Sequence, residues 1–218
     1  MRLLAPSILA ADFLHLEKDI RLVNDHADII HLDVMDGTLV PNISFGFSVI
    51  DAVAKIAEKP MDAHLMIVHP EKYFARCAKA GCSMLSFHLE AARKARRNPA
   101  RLLDEVRSLG MKPGLAINPD IPVEDVFSYL DHAGYILVMS VFAGFGGQKF
   151  IPETYARVRA LKAEIDRRGL DCLIQIDGGA DRSNASALFD AGVDIIVAGS
   201  AVFKAPDPVA AITAMKGA

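Results

Sequence analysis

This 218-residue sequence is poor in several kinds of residue, and their scarcity excludes several classes of protein. It contains three cysteines and no tryptophan, and no two cysteines form the CxxC pair of a structural zinc site. An odd, sparse set of cysteines in apolar surroundings predicts reduced, buried thiols, so we expect a cytoplasmic protein. The net charge of −3 is too small to attract a nucleic acid or a membrane surface, and neither is an expected partner.

Long apolar runs are also absent. No stretch is long enough to cross a bilayer, and the N-terminal segment lacks the apolar core of a signal peptide. No GxGxxG turn follows the first predicted strand, which disfavours a dinucleotide-binding sheet. Basic residues cluster only between Arg93 and Arg97, where an exposed loop or helix end is the favoured interpretation.

Hydrophobic residues make up 52% of the chain and follow a repeating pattern, in which short apolar stretches alternate with amphipathic segments. The predicted strands are 4–9, 29–34, 61–66, 84–87, 112–117, 135–141, 171–176 and 194–198, and helical spacing is clear over 12–24, 47–57, 99–109 and 154–168. Such alternation predicts βαβ units. Eight units favour an α/β fold of the (β/α)8 TIM-barrel type over a doubly wound sheet. We expect one domain across residues 1–218.

Polar side chains fall at the C-terminal ends of the predicted strands, where such barrels carry their functional groups. The stretch His31–Gly37 ends the second strand and places His31, Asp33 and Met35 on one face. A buried carboxylate there needs compensation, and this stretch alone leaves open whether a metal or a hydrogen-bond network supplies it. His64 and Asp177 end two other strands. The four side chains together favour a divalent ion, Zn²⁺, Fe²⁺, Mn²⁺ or Co²⁺.

Glycine-rich loops follow the last three predicted strands. They contain Gly144–Gly147, Gly178–Gly179 and Gly199–Ser200. Bare glycines let backbone N–H groups approach an oxyanion, and barrels often bind phosphate after strands seven and eight. These loops therefore predict a phosphate site, with ordinary turn chemistry as the alternative.

Two further groups lie near the same strand ends. Met35, Met66 and Met139 fall at or near site-facing positions, and core packing is the usual role of methionine. Grouped at one barrel mouth, they predict a water-poor wall that would raise carboxylate pKa values. His88 and Glu90 end the fourth strand, and we interpret them as a supporting pair behind the site or at a subunit contact.

Taken in order, these motifs resemble the ribulose-phosphate 3-epimerase family. The matching segments are 5–9, 11–13, 31–37, 40–42, 64–66, 139–141, 144–152, 177–179 and 197–201. The resemblance implies a (β/α)8 barrel with one divalent metal, a phosphosugar substrate and a homo-oligomeric assembly, a dimer or hexamer. The implied metal ligands are His31, Asp33, His64 and Asp177.

The resemblance also implies a mechanism. D-ribulose 5-phosphate and D-xylulose 5-phosphate would be interconverted through an ene-diolate, in the pentose phosphate pathway, with Asp33 and Asp177 as acid and base on opposite faces. Ser7 and His64 would contact the sugar, and the three methionines would shield the intermediate. The remaining substrate-binding residues would be Gly144, Phe145, Gly146, Gly147, Gly178, Gly179, Gly199 and Ser200.

One segment departs from the family pattern. Phe142-Ala143 opens the glycine-rich loop, where the family usually has a polar residue followed by proline, so we expect a less rigid loop. Preference for a pentose over a ketohexose phosphate, such as D-allulose 6-phosphate, stays open. A metal-independent lyase or synthase on the same barrel is a second class, although it has no use for His31 and His64 as ligands. A non-catalytic phosphate-binding module is a third.

Overall fold

The computed structural model describes residues 2–217, in which eight parallel strands alternate with helices as the barrel prediction requires. The strands are β1 (Leu3–Pro6), β2 (Ile30–Met35), β3 (Met61–Met66), β4 (Cys82–His88), β5 (Lys112–Ile117), β6 (Tyr135–Met139), β7 (Leu173–Asp177) and β8 (Ile195–Ala198). The helices are α1 (Leu16–His26), α2 (Phe47–Ala54), α3 (Phe74–Lys79), α4 (Leu89–Lys94), α5 (Pro99–Ser108), α6 (Thr154–Arg168), α7 (Ala185–Ala191), α8 (Ser200–Phe203) and α9 (Pro208–Lys216). Short 3₁₀ turns span Ile8–Ala10, Pro70–Lys72 and Val123–Tyr129.

The strands form a nearly closed ring in the order β1-β8-β7-β6-β5-β4-β3-β2. Between β1 and β2, pairing within residues 2–217 is reduced to one isolated parallel bridge, between Ser7 and His31. Nearer the start of both strands, the Asp28 N–H donates to the Leu4 carbonyl at 3.1 Å, and the Leu4 N–H donates to the Asp28 carboxylate at 2.9 Å. The least-paired seam of the barrel therefore passes beside His31.

Side-chain alternation separates the two faces of the barrel wall. On β2, Leu32 and Val34 join the large apolar core between strands and helices, whereas His31 and Asp33 face the barrel interior. Parallel strands are covered on both faces, which explains why β2 is buried along its whole length. Each fully buried aliphatic side chain stabilises the fold by about 1.5–3 kcal/mol.

The predicted boundaries are wrong between residues 4 and 15, where side chains bond to nearby backbone. The strand expected over 4–9 ends at Pro6, and a 3₁₀ turn begins because the Ser7 hydroxyl accepts from the Leu9 N–H at 3.3 Å. The helix expected from Asp12 begins at Leu16, since the Asp12 carboxylate accepts from the Leu14 N–H at 3.0 Å. The sixth strand ends at Met139 instead of Val141.

The cysteines, the basic stretch and the helices are also subjects of prediction. Cys77, Cys82 and Cys172 are free and buried, as predicted. The basic stretch 93–97 forms the exposed end of α4, where Arg96 adopts a left-handed conformation with φ of 54°. Among residues 2–217, no helix is both long and apolar enough to cross a membrane.

Candidate active site

The predicted site residues meet in one cleft at the C-terminal ends of the strands. The cleft has a volume of about 810 Å³. His31 and His64 lie beneath its floor and are 0% exposed. All other predicted site residues line it, namely Ser7, Asp33, Met35, Met66, Met139, Gly144, Phe145, Gly146, Gly147, Asp177, Gly178, Gly179, Gly199 and Ser200.

Strands β2, β3 and β7 bring four possible metal ligands together. His31, Asp33, His64 and Asp177 each offer one donor atom, and these atoms lie within 4.8 Å of one another. The Asp33 Oδ1 atom lies 3.3 Å from His31 Nε2 and 3.0 Å from His64 Nδ1. His64 Nδ1 is also 3.8 Å from Asp177 Oδ2. These short distances follow from the register, which pairs Asp33 of β2 with His64 of β3.

One unsatisfied atom indicates that these residues fit a cation. The Nε2 atom of His31 is buried and has no hydrogen-bond partner, although it faces Asp33. A buried ring nitrogen without a partner costs free energy unless something binds it. Two imidazoles and two carboxylates are the mixed ligand set that a divalent transition-metal ion accepts. The four residues could therefore hold such an ion.

Each histidine contacts a second buried side chain through its other ring nitrogen. His31 Nδ1 lies 2.9 Å from the carboxylate of Asp62. His64 Nε2 lies 2.9 Å from His88 Nε2, and His88 Nδ1 lies 3.6 Å from Glu90 Oε1. His88 thus stands behind His64, in agreement with its interpretation as a supporting residue. The two candidate ligands present opposite ring nitrogens to the site.

The two cleft carboxylates have pKa values moved in opposite directions. Burial raises the pKa of Asp33, but the nearby charge on His31 and the hydrogen bond from His64 outweigh burial and hold this pKa well below its usual range. Burial, and then repulsion from Asp33, raise the pKa of Asp177 to about 7. Burial lowers the pKa of His64 to about 4. Asp33 is therefore ionised where Asp177 can still hold a proton.

Ser7 and Ser44 hold Asp33 from two directions. The Ser7 hydroxyl donates to Asp33 Oδ2 at 2.5 Å. The Ser44 hydroxyl donates to the Asp33 carbonyl at 2.6 Å. With Oδ1 turned toward the histidines and Oδ2 bonded to Ser7, the carboxylate has a fixed orientation.

The methionines form an apolar wall beside the carboxylates. Met35 and Met66 pack with Val40, and Met139 packs with Val141 inside the barrel. All three methionines line the cleft and are almost fully buried. Such a wall keeps water from the carboxylates, consistent with the raised pKa of Asp177.

The glycine-rich loop after β6 is held by side chains at its base and across its turn. The Ala143 N–H donates to Asn118 Oδ1 at 3.0 Å, a bond that a proline at this position could not make. The Asn42 amide donates to the Gly144 carbonyl at 2.9 Å. The Gln148 amide donates to the carbonyls of Phe142 and Phe145 at 2.7 and 2.8 Å. These bonds restrain the loop although Ala143 stands where the resemblance implies a proline.

The loop after β7 has little space for side chains. Gly178 and Gly179 have φ values of +114° and +65°. A Cβ atom on Gly179 would lie 2.5 Å from the Phe150 backbone nitrogen. The Ser140 hydroxyl donates to the carbonyls of Asp177 and Gly178 at 2.9 and 2.6 Å. The backbone beside Asp177 is therefore closely packed and fixed.

Sequence reasoning missed the buried polar group beneath the site. Asp62 accepts hydrogen bonds from the Tyr135 hydroxyl at 2.6 Å and the Gln175 amide at 2.7 Å, in addition to its contact with His31. A signal was present, because Asp62 precedes His64 by two residues and strand alternation places both on the interior face. Asp62 was not predicted because it lies within β3 and only residues at the strand ends were candidates.

Solved structures of other enzymes share the fold. 3-Hexulose-6-phosphate synthase from Salmonella typhimurium has a TM-score of 0.70 and 16% identity, covering 99% of this chain and 97% of that one. Orotidine 5′-phosphate decarboxylase from Pyrococcus horikoshii has a TM-score of 0.68 and 16% identity, covering 98% and 97%. At such low identity the likeness concerns the barrel alone.

The sequence comparisons are more specific. The profile of the Ribulose-phosphate 3 epimerase family matches residues 3–203. The ribulose-phosphate 3-epimerase of Synechocystis sp. is 46% identical over 213 residues, which cover 97% of this chain and 92% of the relative. That of Bacillus subtilis is 40% identical over 215 residues, covering 98% and 97%. This chain therefore belongs to the ribulose-phosphate 3-epimerase family.

Proposed function

We propose that this enzyme interconverts D-ribulose 5-phosphate and D-xylulose 5-phosphate by epimerisation at C3, a step of the pentose phosphate pathway. The observation that carries the proposal is the pair of cleft carboxylates, Asp33 and Asp177, whose pKa values lie far apart beside a cluster of metal-binding side chains. Family membership and nearly full-length relatives named ribulose-phosphate 3-epimerase support it.

The two carboxylates suit a reaction that inverts one carbon. Epimerisation removes a proton from one face of C3 and returns a proton to the other face, so it needs a base and an acid on opposite sides. Asp33 is the ionised group and Asp177, with a pKa of about 7, is the group able to carry a proton. In the reverse direction the two residues exchange roles. The Ser7 hydroxyl orients Asp33 and contacts the sugar. His64, which the resemblance also implies as a sugar contact, is buried beneath the cleft floor and would serve as a metal ligand.

The remaining residues bind the metal and the rest of the substrate. His31, Asp33, His64 and Asp177 would hold one divalent ion, Zn²⁺, Fe²⁺, Mn²⁺ or Co²⁺. When bound, the ion supplies Lewis-acid stabilisation of the charge that develops on the ketone oxygen, worth several kcal/mol. Met35, Met66 and Met139 exclude water from the ene-diolate. Phosphate is bound by the glycine-rich loops, at Gly144, Phe145, Gly146, Gly147, Gly178, Gly179, Gly199 and Ser200.

Deuterium exchange tests the two-base assignment. In D₂O, NMR should show deuterium entering C3 of both epimers with the wild-type enzyme. Asp33→Asn and Asp177→Asn should each lose epimerisation and retain exchange from only one epimer, and the two variants should retain opposite epimers. The metal content of each variant, measured in parallel, separates loss of a base from loss of the ion. Exchange from both epimers in either variant would contradict the assignment.

The substrate class requires its own comparison. A cleft of about 810 Å³ also admits a ketohexose 6-phosphate such as D-allulose 6-phosphate. Turnover of both sugars, side by side, should favour the pentose, and faster turnover of the hexose would exclude our substrate assignment. Activity that survives complete chelation would instead favour a metal-independent enzyme.

We also propose a cytoplasmic location and a homo-oligomeric assembly, a dimer or hexamer. The free, buried cysteines and a rice relative named as a cytoplasmic isoform support the location. Leu14 and Ile43, which are 89% and 75% exposed, support the assembly because a second copy could cover them. Sedimentation equilibrium of the purified protein tests it, and a monomer at every concentration would contradict it.

A further inference from the structure

A buried carboxylate lies directly beneath the proposed metal site and has no role in the mechanism above. Asp62 sits on β3, paired in register with His31 of β2, and is 0% exposed. It accepts three hydrogen bonds, from His31 Nδ1 at 2.9 Å, the Tyr135 hydroxyl at 2.6 Å and the Gln175 amide at 2.7 Å. These donors come from three different strands, so the carboxylate is fixed from several sides.

Packing alone does not explain a carboxylate at this position. A buried charge costs several kcal/mol unless it is paired, and neutral or apolar side chains fill a barrel interior at lower cost. Tyr135 and Gln175 are neutral donors, whereas His31 is the hydrogen-bond partner of Asp62 that can carry a positive charge. The contact with His31 is therefore the one that distinguishes a carboxylate from a neutral residue here.

The geometry of His31 shows what this contact does. A ring nitrogen that donates to a carboxylate carries the hydrogen, so Nδ1 is the protonated nitrogen. When the ring gives up its second proton to a cation, the nitrogen that is freed is therefore Nε2, which then carries the lone pair. Nε2 is the atom that faces Asp33 at 3.3 Å and has no hydrogen-bond partner. The bond to Asp62 thus turns Nε2, the nitrogen that can become a ligand, toward the other three candidate ligands.

We propose that Asp62 is a positioning residue of the metal centre, which fixes His31 as the Nδ1–H tautomer and makes Nε2 a stronger ligand. The inference rests on the proposed metal-dependent function. A hydrogen-bonded carboxylate raises the basicity of a ligating imidazole and restrains its ring. His64 differs, because its partner is the imidazole of His88 and it presents Nδ1 to the site. The centre therefore has one histidine ligand supported by a carboxylate and one supported by an imidazole.

Metal titration of the full-length Asp62→Asn variant tests the proposal. Its affinity for Zn²⁺ should fall about 10–100-fold, as expected when such a supporting group is lost. The visible absorption spectrum of the Co²⁺-loaded variant should differ from that of the Co²⁺-loaded wild type. Asp28→Asn is the matched control, because Asp28 is a carboxylate at the opposite end of the barrel that binds the Leu4 N–H. The Asp28→Asn variant should be less stable than the wild type but bind Zn²⁺ with an affinity within about twofold of the wild-type value.

A double-mutant cycle separates positioning from a general effect on the fold. In a His31→Ala background, Asp62→Asn should cause no further loss of Zn²⁺ affinity. An equal loss in both backgrounds, or wild-type affinity and an unchanged Co²⁺ spectrum in Asp62→Asn, would overturn the proposal.

A measurement on the wild type needs no variant and remains decisive if Asp62→Asn does not fold. In the Zn²⁺-loaded protein, ¹⁵N NMR should show His31 protonated on Nδ1 and His64 protonated on Nε2. Protonation of His31 on Nε2 would exclude the proposed role. Failure of the proposed function has a different signature, which is absence of C3 exchange in the wild type.

Discussion

At the scale of single residues, the surroundings of Asp33 and Asp177 shift the pKa values of two identical side chains in opposite directions. Both line the same cleft beside the methionine wall. Asp33 contacts two imidazoles and a hydroxyl, whereas Asp177 faces the charge of Asp33 with less compensation. The two carboxyl groups therefore have the protonation states that the proposed roles of base and acid require before substrate arrives.

Metal binding should displace protons from this site. Burial and repulsion from Asp33 raise the pKa of Asp177 to about 7. Burial lowers the pKa of His31, but Asp33 and Asp62 outweigh it and raise this pKa well above its usual value. Below these pKa values each group holds a proton that a cation must replace. The apparent affinity for Zn²⁺ should therefore increase as the pH rises through about 7.

Calorimetric titration in buffers of different ionisation enthalpy gives the number of protons released. At about one pH unit below the Asp177 pKa of about 7, Asp177→Asn should release nearly one proton fewer than the wild type, because its amide does not titrate. An affinity that is constant across neutral pH would contradict the protonation states described for the two groups.

At the scale of elements, the end of α4 stores strain that can be removed. Arg96 has φ of 54°, a left-handed conformation that costs an L-residue roughly 1–2 kcal/mol. Glycine adopts it without strain, although it is more flexible when unfolded. Arg96→Gly should therefore raise the free energy of unfolding by about 0.5–1 kcal/mol, measured by urea denaturation. The neighbouring Arg97→Gly, where φ is not positive, should lower it.

The loop after β7 allows a test of phosphate binding by backbone groups. Gly179→Ala would place a methyl group 2.5 Å from the Phe150 backbone nitrogen, whereas a Cβ atom on Gly146 meets no atom within 4 Å. Both variants keep their backbone N–H. Because the backbone must shift to relieve this contact, Gly179→Ala should displace the phosphate-binding N–H groups and raise KM for the ketose phosphate about tenfold, which corresponds to about 1.4 kcal/mol of lost binding free energy. Gly146→Ala should change KM little, and a large increase there would indicate that the loops bind through more than their N–H groups.

The sequence predicts elements and ligands for different physical reasons. The eight strands could be predicted because apolar runs must be buried on both faces, and the four candidate ligands because strand ends converge at one rim. The conformation of the segment from Ser7 to His15 could not be predicted. It depends on hydrogen bonds from backbone N–H groups to the side chains of Ser7 and Asp12, and hydrophobic periodicity carries no information about such bonds. The hydrogen-bond partners of Asp62 could not be predicted either, because Tyr135 and Gln175 lie on strands that are distant from Asp62 in the sequence.

At the scale of the whole molecule, the candidate ligands join strands that are far apart in the sequence. They come from β2, β3 and β7, so a bound ion would connect opposite parts of the barrel wall. A ligand that binds only the folded state, at a concentration about 100 times its Kd, stabilises that state by about 2.7 kcal/mol. Removing the metal should therefore lower the melting temperature of the whole barrel.

Thermal unfolding with and without a chelator measures this effect. Adding Zn²⁺ back in excess of the chelator should restore the melting temperature. A His31→Gln variant serves as the control, since it should respond to neither addition. A melting temperature that does not depend on metal in the wild type would contradict the prediction.

The weakly paired seam between β1 and β2 is where we expect local unfolding of the barrel to begin. Within residues 2–217 the only bridge between these strands joins Ser7 to His31, one strand-end contact that also belongs to the candidate metal site. Opening the seam would separate Ser7 from Asp33 and disrupt the candidate metal site in the same event. Conversely, an ion bound to His31 and Asp33 would stabilise the closed seam. Amide hydrogen exchange along β1 and β2 should therefore slow on metal binding more than exchange along β5 and β6. Closure of the barrel between β1 and β2 and assembly of the candidate metal site would then depend on the same contacts.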